Sequence, residues 1–378
     1  MKPSSQLPIS KVEVFHFRKD LISEMRISRG GFKVREHVIV RLHTADGLTG
    51  LGEGIGTAAS IESVLSNYLA PRIIGLDVLA IESFRFRMFR EPTYFENLGS
   101  VMSSVSAVEM ALWDLQGKLL GVPCYQLLGG RFRDRIRAYA SDVYWQESVS
   151  DLCAETTRIA DLGYGCIKAH LGVMPPRQET IRVAALRKVL GDDIDLMIDL
   201  NCGYDIRQAR EAIQRWEQFN LYWLEEPLLP DLGDALGSLR SISKIPIAAG
   251  ENEFAASGFH KLGTQRAIDV AMPDVGRVGG ITELKNIAAV ARAHGIVVSP
   301  HNFSSGVLLA ATAHAITSSA DMDLIEVDTS GNAIYEETLN ESWIIKDGFV
   351  TVPDDLGLGV TLRESTIEKY AQTKKVFE

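Results

Sequence analysis

The chain has 378 residues, of which 46% are apolar and 23% charged, and its formal net charge is −10. That length exceeds one small core and accommodates a barrel of about 250 residues beside a second domain. The acidic balance and the lack of a basic tract exclude a general nucleic-acid binder, whereas an anionic substrate stays allowed, because a bound dication reverses the local field.

The first segment is a strand-then-helix pattern. Residues 10–16 (SKVEVFH) and 36–43 (EHVIVRLH) alternate as strands do, and the second runs through the turn signal ADG into LTGLGEG, a hairpin pattern. From about 58 to 129 the period becomes helical, most clearly in VSAVEMALWDLQGKLLG, which Gly121 and Pro123 close. Residues 1–130 therefore read as an α+β domain. Its loops at 20–32, carrying Arg26, Ser28, Arg29 and Phe32, and at 54–60 are expected to control specificity.

From about 135 short apolar runs alternate with helices: RIRAYASDV, GCIKAHL, DLMIDLN, LYWLEEP, IPIAAGEN, AIDVAMPD, GIVVSPHN and DLIEVD. The polar strand ends Lys168, Asp199, Glu225, Glu251, Asp274, His301 and Glu326 follow one another at 31, 26, 26, 23, 27 and 25 residues. Eight such repeats over 131–335 indicate a closed parallel barrel with its chemistry at the carboxyl ends of the strands. An open doubly wound sheet would not bring strands three to eight around one centre. Residues 336–378, with a strand-like DGFVTVPDDLGLGV and a final helix ESTIEKYAQTKKVF, are expected to return to the first domain.

Asp199, Glu225 and Glu251 converge as an all-oxygen ligand set, which favours Mg²⁺ over Zn²⁺. Helix capping or salt bridging explains any one of them alone. Asp274 and His301, one repeat apart, form a dyad in which the carboxylate fixes the imidazole tautomer. Lys168 and His170, two apart on one strand, point the same way; Lys168 neutralises a substrate carboxylate or pairs with neighbouring carboxylates, and His170 is a candidate acid or base. Glu326 is a candidate hydrogen-bond donor if its pKa is raised. Arg277 reads as a partner for Asp274, and Gly279 and Gly280 as a tight turn rather than a phosphate loop.

IDLN, LEEP, GEN, MPDxxRxGG and SPHN, in this order and spacing, resemble the enolase superfamily and within it the mandelate racemase subgroup. The resemblance implies a modified (β/α)7β barrel under an α+β capping domain, with a Mg²⁺ enzyme that abstracts the proton α to a carboxylate and stabilises the enediolate. It implies Asp199, Glu225 and Glu251 as metal ligands, Glu226 in support, His301 as base, Glu326 bonding the enediolate, Lys168 facing the substrate carboxylate and Asn201 near metal or substrate. The subgroup usually carries Lys-x-Lys where this chain has Lys168 and His170, which puts two-base racemisation in question. The muconate-lactonizing subgroup fits less well, since it places a Lys where this chain has Asp274.

The first reading is dehydration of an acid sugar to a 2-keto-3-deoxy acid. A racemase, epimerase or cycloisomerase is the alternative, and a non-catalytic carboxylate-binding barrel the remote one. Arg26 and Phe32 are candidate substrate contacts. Cys124, Cys153, Cys166 and Cys202 show no CxxC spacing and suit a reducing compartment. MKPSSQLPIS has no apolar core and no apolar run reaches 18 residues, so a cytoplasmic protein without membrane partners is expected. A homo-oligomer, dimer or octamer, is expected from the resemblance.

Overall fold

The structure, a computed structural model, is described for residues 7–91, 96–339 and 343–378. Three strands, β1 (Ile9–Ile27), β2 (Gly30–Thr44) and β3 (Thr49–Gly54), form an antiparallel sheet that the C-terminal strand joins beside β1. The alternating Val12, Val14, Val38, Val40 and Leu42 bury one face of this sheet against the helix Gly99–Leu120. That helix ends where Gly121 takes a left-handed φ of 70°, a conformation that suits glycine. Gly50 and Gly52 are needed for a different reason: a Cβ on either would sit about 2 Å from a carbonyl of the same helix.

Residues 20–32 are not a loop. The β1–β2 hairpin continues past a bulge between Asp20 and Met25, pairing Met25 with Phe32, Arg26 with Gly31 and Ile27 with Gly30. The segment shows no clean alternation because much of this ribbon is exposed, so its backbone pairing left no period-two apolar signal. The hairpin tip reaches the barrel, where the Ser28 hydroxyl donates to the Leu200 carbonyl at 2.6 Å.

The barrel strands are β4 (Ile136–Val143), β5 (Cys166–His170), β6 (Asp195–Asp199), β7 (Leu221–Glu225), β8 (Ile247–Ala249), β9 (Val270–Ala271), β10 (Val297–Val298) and β11 (Leu324–Val327). All are parallel; β11 pairs with β4, and a bridge between Val298 and Met322 closes the ring. Seven helices connect the eight strands, giving the (β/α)7β arrangement. Tyr139, Cys166, Met197, Trp223, Met272 and Leu324 fill the lumen below the site, so the barrel interior is a packed core and not a pore.

The hairpin β12 (Ile344–Lys346) and β13 (Phe349–Thr351) pairs antiparallel with β4 of the barrel. The final segment is helical only over Glu364–Tyr370; Ala371–Phe377 is strand β14, paired with β1. Tertiary pairing overrides the helical tendency of QTKK because β1 offers an open edge. No helix among the described residues is long and apolar enough to cross a membrane.

Candidate active site and metal centre

The carboxyl ends of the strands and the hairpin tip enclose a cavity of about 230 Å³. Lys168, His170, Asp199, Asn201, Glu251, Arg277, His301 and Glu326 line it, together with Phe32, Tyr144 and Phe303. A larger cavity of about 830 Å³ lies wholly in the N-terminal domain, away from these groups. The chemistry belongs to the smaller one, because the ionisable strand ends converge there.

Parallel pairing puts Asp199 opposite both His170 and Glu225. One ligand oxygen each from Asp199, Glu225 and Glu251 can be chosen within 4.8 Å of one another. Burial pushes the Glu225 carboxyl well up, and repulsion from Asp199, Glu326 and Glu251 adds to it although Lys168 opposes. The trio is therefore an oxygen-only cluster with surplus negative charge, and its donor set fits a hard divalent cation such as Mg²⁺. Glu226 stands outside the trio; it accepts from the Cys202 thiol at 2.9 Å and from Asn252 at 2.8 Å. Left-handed φ angles at Asn201 (42°), Cys202 (59°) and Glu226 (39°) show backbone strain concentrated beside the trio.

Lys168 is buried and lies 2.9 Å from Oε1 of both Glu225 and Glu326. Burial disfavours its charge, but Glu225 and Glu326 outweigh that and keep the ammonium form. Lys168 and Glu225 shift upward together; the charged ammonium is the firmer of the two, since two carboxylates contact it directly. For Glu326, burial is outweighed by Lys168, by His301 and by the Ser141 hydroxyl, and its pKa falls. Glu326 is thus an acceptor here, from Lys168, Ser141 and the Asn302 N–H at 2.9 Å, and not the raised-pKa donor that the strand-end position suggested.

His301 Nδ1 lies 2.6 Å from Asp274 Oδ2, and Nε2 lies 3.2 Å from Glu251. The other Asp274 oxygen accepts the Gly276 N–H at 2.7 Å, so the carboxylate is fixed at both ends. Burial works against the imidazolium, but Glu251, Glu326 and Asp274 push its pKa up to about 10. Across the cavity His170 is held at both nitrogens: Nε2 is 2.9 Å from the Ser141 carbonyl and Nδ1 is 3.0 Å from Asn201 Oδ1. Asn201 turns that oxygen toward the ring because its amide donates to Asp199 at 2.9 Å. Burial opposes a charge on this ring, but Asp199 at 3.4 Å, with Asn201 in support, outweighs it and raises the His170 pKa above the ordinary imidazole value. Tyr144 stacks on the imidazole at 4.8 Å and 5°.

Two expected contacts differ. Arg26 is exposed, outside the cavity lining, with its guanidinium over Trp145 at 4.5 Å. The hairpin register sends it to the outer side of the ribbon, while Phe32 lines the cavity. The Arg277 guanidinium does not meet the Asp274 carboxylate; only its main-chain N–H bonds the Asp274 carbonyl, and the side chain runs toward Asn252 and Phe254. Ser141, Tyr144, Asn302 and Phe303 were not singled out in the sequence. Ser141 lies near the end of β4, the one barrel strand for which no polar terminal residue was marked, and Asn302 adjoins His301 within SPHN.

Residues 10–129 match the mandelate racemase/muconate lactonizing enzyme N-terminal domain, and residues 151–366 match the enolase C-terminal domain-like family. The chain belongs to the mandelate racemase branch of the enolase superfamily. An arabinonate dehydratase of Saccharolobus solfataricus is 30% identical over 89% of this chain and 90% of its own. A D-galactarolactone cycloisomerase of Agrobacterium fabrum is 31% identical over 90% and 92%. The crystal structure of a racemase from Streptomyces coelicolor with bound magnesium superposes with a TM-score of 0.89 at 28% identity, covering 96% of this chain and 99% of that one. The barrel and the capping domain of this superfamily thus account for the fold.

Proposed function

We propose that this enolase superfamily member is a Mg²⁺-dependent acid-sugar dehydratase that removes the proton α to the carboxylate and expels the β-hydroxyl as water, giving a 2-keto-3-deoxy acid. The observation that carries this reading is the one-sided base: His301 is oriented through Nδ1 by Asp274 at 2.6 Å, and its Nε2 meets only Glu251, one of the three carboxylates that would hold the cation, whereas both nitrogens of His170 are engaged by the Ser141 carbonyl and Asn201, which stand outside that trio. Asp199, Glu225 and Glu251 would hold the cation, which when bound draws electron density from the substrate carboxylate and so acidifies the neighbouring C–H. Glu251 is the foremost group holding a proton on His301, and its charge would be offset once it held the cation, leaving Nε2 free to take the α-proton and return it to the departing hydroxyl; the proton ends in the water released, and the enol left behind tautomerises to the 2-keto-3-deoxy acid. Lys168, pinned between Glu225 and Glu326, keeps a fixed positive charge beside the developing negative charge on the carboxylate carbon's oxygens. His170, held at both nitrogens and stacked on Tyr144, binds rather than abstracts.

Ring isomerisation of a sugar-acid lactone is the second reading, favoured by the cycloisomerase relative and by the aromatic wall of Phe32, Tyr144 and Phe303, against which a sugar ring packs. A panel of mono- and diacid sugars and their lactones, assayed for 2-keto products and for α-proton exchange in D₂O with and without Mg²⁺, separates the two. Absence of any 2-keto product, together with racemisation or lactone isomerisation of some acid, would refute the dehydratase reading.

A further inference from the structure

Arg35 on β2 is the one buried residue among positions 18–36, the ribbon that runs from the capping sheet to the barrel mouth. Its Nη2 pairs with the carboxylate of Asp328, just past the end of β11, and its buried Nη1 has no partner. Asp142, at the end of β4, is buried nearby. Burial and repulsion from Asp328 push its carboxyl up to about 8, against Thr329 and Arg35, so it is neutral at pH 7. Arg35 and Asp328 therefore stand as one balanced pair, a task that asks only for a cation at position 35.

The flat face of the guanidinium has a separate partner. It lies 3.8 Å from the Phe303 ring, within stacking distance. The same ring meets Phe32 and Tyr144 edge-on, each at 6.5 Å, and those two meet each other at 5.8 Å. Phe32 precedes Arg35 by three residues on β2, so one capping-domain strand brings both groups to one barrel ring. Tyr144 in turn stacks on His170 at 4.8 Å. The described residues lining the cavity include Phe32, Tyr144 and Phe303 but not Arg35, so the guanidinium acts on the site through Phe303. Phe303 follows His301 by two residues, and the Asn302 N–H between them is tied to Glu326 at 2.9 Å. Glu326 thus holds the backbone here, and Arg35 holds the ring.

Resting on the reading of His301 as the base, we infer that Arg35 is a positioning residue for the reaction. It fixes the Phe303 ring, and through it the aromatic wall that keeps the substrate in register with His301, so proton abstraction depends on the capping ribbon being seated. A Phe303 ring free to turn would admit unproductive poses, and a displacement of about 1 Å is enough to cost roughly 100-fold in rate.

The test uses the full-length, Mg²⁺-loaded protein and the acid-sugar panel, with α-proton exchange in D₂O and 2-keto product measured separately. Arg35→Met combined with Asp328→Asn removes both charges of the pair together. It should lower kcat for exchange by roughly 10- to 100-fold with a smaller change in KM, while the stabilisation by Mg²⁺ stays at its wild-type size. Arg35→Lys keeps a cation for Asp328 but not the flat face, and should recover stability more fully than kcat. It also covers the case in which the paired variant folds poorly. Phe303→Leu should lower kcat similarly, and adding Arg35→Lys to it should lower kcat no further, since both act through one contact. Wild-type kcat in the paired variant, additive losses with Phe303→Leu, or rates that merely follow the unfolding midpoint would overturn the assignment. Exchange that depends on Arg35, in a protein that forms no 2-keto acid, would uphold the positioning role and reject dehydration.

Discussion

Glu53 of the capping sheet closes on Ser305 of the barrel: the Ser305 hydroxyl donates to Glu53 Oε2 at 2.5 Å, and the Ser305 and Leu308 N–H groups lie 3.3 and 3.2 Å from the same oxygen. Its other oxygen accepts from Ser304 at 2.5 Å and from His37 at 3.1 Å. Ser305 is the N-cap of the helix Gly306–Thr317, so a carboxylate from one domain meets the positive end of a helix in the other. Glu109, on the Gly99–Leu120 helix, does the same for Ile281–Ala293, accepting the Ile281 and Thr282 N–H groups at 2.7 and 3.0 Å. These two helices follow the segments that carry His301 and Asp274, so the capping domain fixes the dyad's supports through buried carboxylates.

Removing the Glu53 carboxylate leaves several buried donors facing nothing. Glu53→Ala should cost about 3–5 kcal/mol in urea unfolding, and Ser305→Ala about 1 kcal/mol as a lost cap. Activity should fall with the first, because the His301 segment loses its anchor. Unfolding midpoints equal to wild type would show that the contact holds nothing.

Metal removal is read most cleanly in stability. With Mg²⁺ at a hundredfold excess over Kd the fold should gain about 2.7 kcal/mol, and EDTA should reverse it. Glu251→Gln, which retains shape but removes one charged oxygen ligand, should abolish most of that gain in differential scanning calorimetry. A Mg²⁺-induced gain of wild-type size in Glu251→Gln would exclude this residue as a ligand.

The dyad makes an ordered pair of expectations. His301→Asn should abolish α-proton exchange in D₂O, a loss of roughly 10²- to 10⁴-fold attributable to general-base removal. Asp274→Asn should retain a folded site but lose most of that rate. His170→Asn should still exchange the α-proton of its substrate through His301. Loss of exchange on one stereoisomer only, with the other retained, would instead reveal two bases and favour the racemase alternative.

Acid sensitivity has an identifiable contributor away from the site. His314 is buried, stacked on Tyr125 at 5.7 Å, and accepts the Tyr125 N–H at 3.1 Å. Burial holds its pKa down to about 3 against an ordinary 6.5, so it is neutral in the fold and takes a proton on unfolding. Its stabilisation is therefore complete above pH 6.5 and is lost as pH falls toward 3, by about 1.4 kcal/mol per pH unit. Unfolding free energies measured between pH 7 and 4 should show a shallower decline for His314→Gln than for wild type. Parallel slopes would assign the acid loss to other groups.

The sequence by itself determined the barrel, the order of its strands and the meeting of Asp199, Glu225 and Glu251. A parallel repeat of near-constant length puts the ends of successive strands on one rim whatever the side chains do. It also made Asp274 and His301 neighbours, for the same reason. What each group can do there was decided only by the tertiary structure. Lys168 bridges Glu225 and Glu326, Glu326 accepts rather than donates, and His170 is tied by the Ser141 carbonyl and Asn201, because protonation follows burial and neighbours brought from other strands. The hairpin of residues 20–32 likewise depended on pairing across an exposed ribbon, which leaves no period in the sequence, and its register turned Arg26 outward and Phe32 inward. Arg35 was not singled out in the sequence, and its burial against Phe303 and Asp328 exists only once the capping domain meets the barrel.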